Sequence, residues 1–202
     1  MRHALLLVIS LLLSPSFAAD ASRAPTARIV FKDKQSVVHL VPAAAYPWVW
    51  LGFGHPNSAL LTMTDLESGR MSIPFRPSFE ITRAKDWRDW ANTTVTYLDG
   101  VVCDDEHIVV FIITNSHSST THVQNLMNRD EISYSISVYA RDNGKLLSTL
   151  TVHPKLSSQR RQGREQGELM KNPAGPLALT RGGVTCFDRL FVIEGGKLKE
   201  NR

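Results

Sequence analysis

Short apolar runs separated by polar turn-formers recur along most of the chain, and few of them keep the 3.6-residue period of an amphipathic helix. "ARIVF" and "SVVHLV" are β-branched runs divided by "KDKQ", which predicts a first hairpin. "YPWVWLGF" follows, and then "ALLTMTDLESGRMSIPF", where "DLESG" splits two strand-like halves. "NTTVTYL", "GVVCDDEHIVVFIIT", "ISYSISVYARDNGKLLSTLTV" and "GVTCFDRLFVIEGGKL" continue the pattern. Ile136 and Val138 alternate before Asn143-Gly144, and Leu146 and Leu150 resume after it. That Asn-Gly pair supplies the positive-φ residues of a tight hairpin turn. "TRAKDWRDWA" (Thr82 to Ala91) predicts the one good helix, short, with Trp87 and Trp90 at i,i+3. Lys155 to Gly175, rich in Gln, Gly, Arg and Pro, predicts a long mobile loop with a short helix at "REQGELMK".

Two stretches are written twice. "GVVCDDEHIVVF" (Gly100 to Phe111) echoes "GVTCFDRLFVIE" (Gly183 to Glu194), and "TMTDLESGRMS" (Thr62 to Ser72) echoes "SVYARDNGKLL" (Ser137 to Leu147). The order is turn-hairpin, cysteine-hairpin, turn-hairpin, cysteine-hairpin, at a spacing of about 80 residues. The match is too irregular for a propeller of many blades. The expected fold is mainly β: a two-sheet antiparallel β-sandwich or a propeller-like array of hairpins, with one short helix.

The chain opens "MRHALLLVISLLLSPSFAAD", a basic Arg2, an apolar run and small residues at Ser16 and Ala18. This is the pattern of a secretory signal peptide over residues 1–18, cut after Ala18 with Ala21 as the fallback. The expected mature protein, 19–202, is a single exported domain, periplasmic or secreted, with no stable membrane insertion. Its charge is localised: "KLSSQRRQGREQGELMK" (Lys155 to Lys171) holds five Lys/Arg against two Glu. The rest is nearly balanced, which argues against a nucleic-acid binder.

An exported chain with two cysteines in equivalent strand contexts predicts one disulfide, Cys103 to Cys186. No CxxC or further donor suggests a metal site. Asp104 and Asp105 beside Cys103 would raise its thiol pKa and weaken it as a nucleophile.

Familiar catalytic motifs are missing: no GxSxG, HExxH, P-loop, GxGxxG or EF-hand loop. "CDDEH" gathers Asp104, Asp105, Glu106 and His107, a possible acid/base group. Its echo keeps only Asp188, so a turn in which carboxylates bond to backbone is the better reading. "NSHSSTTH" places His117 and His122 in a polar loop suited to a partner. Trp48 and Trp50 share a strand face, expected in the core. Trp87 and Trp90, in a polar setting, are interface candidates. Arg160, Arg161 and Arg164 suit an acidic protein surface or anionic lipid, against the plainer reading of a solvated loop. Asn92 begins an Asn-Thr-Thr glycosylation sequon.

These residues fit a non-enzymatic binding protein without cofactor or metal. The sharpest form is an immunity-type inhibitor that neutralises an exported toxin, such as a lipase or wall hydrolase, by occluding it. Its partner-binding residues would be Trp87, Trp90, His117, His122, Arg160, Arg161 and Arg164. Two other readings compete: an envelope enzyme assembling Asp104, Glu106 and His107 with His117 or His122, and a carbohydrate- or envelope-assembly module stacking on Trp48 and Trp50.

Overall fold

The computed structural model describes residues 27–42, 59–82, 92–122, 125–153 and 166–201. Its strands are β1 (Arg28–Lys32), β2 (Ser36–Pro42), β3 (Ala59–Asp65), β4 (Met71–Phe75), β5 (Ser78–Thr82), β6 (Asn92–Cys103), β7 (His107–His122), β8 (Asn125–Ala140), β9 (Leu146–Val152), β10 (Leu177–Thr180), β11 (Gly183–Cys186), β12 (Arg189–Glu194) and β13 (Lys197–Glu200). Among the described residues one helix, α1, covers Gln166–Lys171.

The strands form three sheets in strict chain order: β1-β2-β3-β4, β5-β6-β7-β8-β9 and β10-β11-β12-β13. Every pairing is antiparallel. The expected mainly β, sandwich-like architecture is therefore present, with three layers where two were expected. The five-stranded sheet lies in the middle. Its Leu98, Val101, Ile108, Val110 and Tyr139 pack with Val38, Leu40, Leu61 and Phe75 of the first sheet. Its Val109, Phe111, Ile113, Ile136 and Val138 pack with Val184, Phe191 and Leu198 of the third.

This explains an oddity of the sequence. "IVVFII" in β7 is apolar at every position, and each of Ile108 to Ile113 is buried. A strand covered on both faces needs apolar groups on both, so alternation disappears. β2 and β3, with runs of consecutive buried residues, show the same signature.

Both sequence echoes are structural. In the cysteine hairpins, β6–β7 turns through Asp104–Glu106, and β11–β12 turns through Phe187 and Asp188, both at positive φ. In the other pair, the Asp65 amide donates to the Arg70 carbonyl at 2.9 Å and the Ala140 amide donates to the Lys145 carbonyl at 2.8 Å. Gly69 and Gly144 hold equivalent places in these loops, with φ of 67° and 70°. Asn143 itself is not left-handed; its Oδ1 accepts from the Lys145 amide at 2.8 Å. The turn is therefore a longer loop with one left-handed glycine rather than a two-residue turn.

The expected helix over Thr82 to Ala91 lies outside the described residues except for Thr82, which ends β5. The mobile loop expected over Lys155 to Gly175 is anchored in its second half. Leu169 of α1 is buried in the first core cluster, Arg28 Nη1 donates to the carbonyls of Met170 and Lys171, and the Pro173 carbonyl accepts from the Val101 amide at 2.8 Å. A cation on the last carbonyls of a helix satisfies groups that have no partner within it.

Candidate functional site

Two turns at one end of the molecule share one design. In the β1–β2 turn, Asp33 Oδ1 accepts from the amides of Gln35 at 2.8 Å and Ser36 at 2.7 Å. In the β6–β7 turn, Asp104 Oδ1 accepts from the amides of Glu106 at 2.8 Å and His107 at 2.6 Å. Both turns close with the aspartate's own amide on the carbonyl three residues on, at 3.1 Å and 3.0 Å. Thus "KDKQS" and "CDDEH" are one motif, an aspartate whose short carboxylate replaces the missing backbone acceptor. His107 Nδ1 lies 3.5 Å from the same Asp104 oxygen.

Arg141, from the β8–β9 loop, joins the two turns and is only 7% exposed. Its Nε donates to the Asp105 carbonyl at 2.7 Å, and its Nη1 to Ser36 Oγ at 3.0 Å and to the Asp33 carboxylate. The guanidinium sits 4.6 Å from the centre of the Phe31 ring. The Arg141 amide also donates to the Glu106 carbonyl at 2.9 Å, and the Leu66 amide, from the β3–β4 loop, donates to the Gln35 carbonyl at 2.7 Å. Four connections from two sheets are thereby locked together. The Asp33 carboxyl is held below its ordinary range, first by the Ser36 amide, with the Gln35 amide and Arg141 adding to it against the opposing effect of burial.

The locked turns border an open hollow of about 550 Å³, walled by Lys34, Asp65, Glu67, Asp105, Glu106, His107, Arg141 and Asp142 among others. A smaller hollow of about 320 Å³ on the other side of the β6–β7 turn brings Asp104 to His107 against Thr180, Gly182, Gly183 and Ile193. Among the described residues, no three His, Cys, Asp or Glu side chains converge as a metal site would require.

The cysteines are not bridged, which corrects the expected disulfide. Both are thiols. Cys103 packs against the first core cluster, and Cys186 belongs to the second, so the middle sheet stands between them. Their hairpins also run in opposite directions: Gly183 lies by the β6–β7 turn, whereas Arg189, paired with Cys186, donates to the His153 carbonyl at the end of β9. Burial pushes the Cys103 thiol up to about 12, with the Asp104 charge adding to it and Arg141 opposing. The Asp104 carboxylate beside Cys103 acts in the direction expected from "CDDEH", but burial is the larger cause.

The polar loop expected at "NSHSSTTH" is instead the outer half of β7, paired residue by residue with β8, and His117 and His122 do not join the "CDDEH" group. They lie ten and fifteen residues along β7 from His107, about 33 and 50 Å at 3.3–3.4 Å per residue. The envelope-enzyme constellation is not assembled. Trp48, Trp50, Trp87, Trp90, Arg160, Arg161 and Arg164 lie outside the described residues. What the structure does give is where their segments leave the strands. Chain exits at Pro42, Thr82 and His153, and the β7–β8 end at His122, all lie at the ends of strands that run away from the Arg141 turns. Asn92 opens β6 opposite Thr82 at this same far end. Arg141 and Asp33 were not picked out from sequence as site residues; an arginine beside a glycine turn carries no signal of its own.

No known family, curated protein or solved structure matches the chain.

Proposed function

We propose that the protein is an exported, non-enzymatic binding protein, and specifically an immunity-type inhibitor that occludes a secreted toxin such as a lipase or wall hydrolase. The observation that carries this reading is topological. The segments bearing Trp87, Trp90 and the three arginines leave the sheets at one end, and the end of the β7–β8 hairpin that carries His117 and His122 lies there too, opposite the end that Arg141 locks. A layered β-scaffold with several connections gathered at one end is how loops are commonly presented to a partner. Such loops can combine aromatic anchors with basic residues that steer an acidic surface. Among the described residues no helix is long and apolar enough to cross a membrane.

The test is protection. The chain, expressed with its leader, should rescue cells exposed to an exported toxin encoded beside it and should bind that toxin one to one. W87A/W90A and R160E/R161E/R164E should each weaken binding at least tenfold without changing the unfolding temperature. Failure to protect against any neighbouring gene product, or undiminished binding by both variants, removes the reading.

A further inference from the structure

Among the described strands, β1, β4, β5, β9, β10 and β13 lie at the edges of the three sheets. An edge presents a row of unpaired amides and carbonyls, and proteins that stay apart blunt it with charge, proline, a bulge or shortness. All of these edges but one are blunted in this way. β1 carries Arg28 and Lys32 and a bulge between Ile29 and Phe31. β4 holds Pro74, and β5 has Glu80 at its centre. β10 and β13 are four residues long, and β13 is charged at Lys197, Lys199 and Glu200. β9 is the exception: its sequence, LLSTLTV, has neither charge nor proline. The bulge at Leu147 leaves residues 148–152 in regular register with β8. Among the described residues, no backbone hydrogen bond reaches the outer edge of this strand. Its side chains divide by face. Leu150 and Val152 pack towards the third sheet, and the Ser148 hydroxyl accepts from the Leu198 amide at 3.3 Å. Leu146, Thr149 and Thr151 turn the other way and are exposed.

We propose that β9 pairs antiparallel with β9 of a second copy of the chain, joining the two middle sheets into one continuous sheet. The composition of the strand selects an identical partner. A two-fold pairing lays each strand against its own reverse, so any charge in it would be brought near its like; residues 146–152 hold none. With the axis at Leu150, Thr149 of one copy faces Thr151 of the other, a favourable cross-strand pair on the exposed face. A different chain finds in residues 148–152 no charge by which to be selected. The inference stands apart from the toxin-binding reading, because β9 flanks the sheets whereas that reading uses their far end. Antiparallel pairing also points the loop ends of the two copies in opposite directions, so neither is hidden.

Sedimentation equilibrium of the full mature chain tests it. The wild type should dimerise with a Kd on the order of 10 μM, because one strand pair is a small interface. T151K and T151E should each weaken dimerisation at least tenfold while leaving the unfolding temperature unchanged, since Thr151 is exposed. An equimolar mixture of the two variants should dimerise again, because the introduced charges are then opposite across the axis. A wild type that stays monomeric up to about 0.5 mM would overturn the proposal, as that is weaker than a specific strand pair requires. So would a dimer that survives both substitutions, or a mixture that associates no better than either variant alone. T151K should still protect against the toxin, so that loss of the dimer and loss of protection are read separately.

Discussion

Cys103 and Cys186 hold matching places in two echoed hairpins, yet the middle sheet separates them, one sulfur in each core cluster. The intact mass should show no loss of two hydrogens, and denatured protein without reductant should titrate two thiols. In the native protein, a Cys103 pKa of about 12 leaves on the order of one molecule in ten thousand as thiolate at pH 8. Its alkylation should therefore be slower than that of an exposed cysteine by orders of magnitude. A disulfide-linked Cys103–Cys186 peptide would contradict this arrangement.

The same hairpins share a glycine whose role is packing. A Cβ on Gly183 would lie 2.2 Å from the Phe191 carbonyl oxygen, and one on Gly100 would lie 2.6 Å from that of Ala174. Both obstacles are backbone, so neither can swing aside. Gly183→Ala and Gly100→Ala should each destabilise by about 2–3 kcal/mol in denaturant titration, in the range of overpacked sites. Gly69→Ala, where nothing lies within 4 Å, should cost only about 1 kcal/mol for its left-handed backbone. A reversed order would mean that the close approaches relax.

Where the sequence was legible, the signal was local. Turn residues placed the hairpins, because the motif at Asp33, the loop at Gly144 and the echo at Gly183 are closed by neighbours in the chain. The pairing of sheets was not legible. Whether Cys103 and Cys186 share a face depends on the bulge between Leu98 and Gly100, which resets the register of β6; one residue of slip exchanges the faces. Arg141 was invisible for a related reason: its partners Asp33 and Asp105 lie 108 and 36 residues away. The third layer, by contrast, left a trace. The unbroken "IVVFII" was the mark of a strand buried on both sides.

The turn design separates the residues of "CDDEH". Asp104 serves two backbone amides, whereas the Glu106 side chain lines the larger hollow and is not needed for the turn. Asp104→Ala should cost about 1 kcal/mol of stability and Asp104→Asn less, because an amide oxygen can still accept. Glu106→Gln should leave the unfolding curve unchanged within about 0.5 kcal/mol. Chemical denaturation of the three variants checks the ranking. Equal losses at Asp104 and Glu106 would mean that the acidic turn acts as one network.

Arg141 should be the most sensitive position at this end. Removing it strands the Ser36 hydroxyl, the Asp105 carbonyl and the Asp33 carboxylate at once, and uncovers the Phe31 ring. Asp33 is about a quarter exposed, so the loss is that of hydrogen bonds rather than of a fully buried ion pair, and Arg141→Ala should lower the unfolding temperature by roughly 5 °C in a chain of this size. The pH response gives the sign. Asp33 is held below its unfolded value of 3.8 in the folded state. Its contribution is therefore complete above about pH 4 and is lost as the pH falls through the lower folded value. Stability of the wild type should drop steeply there, and Asp33→Asn should flatten that limb while sacrificing stability at pH 7. Arg141→Ala should flatten it only in part, because the Ser36 and Gln35 amides still favour the Asp33 carboxylate. If Arg141→Ala and Asp33→Asn give the same acid limb, the guanidinium rather than the turn amides sets the Asp33 pKa.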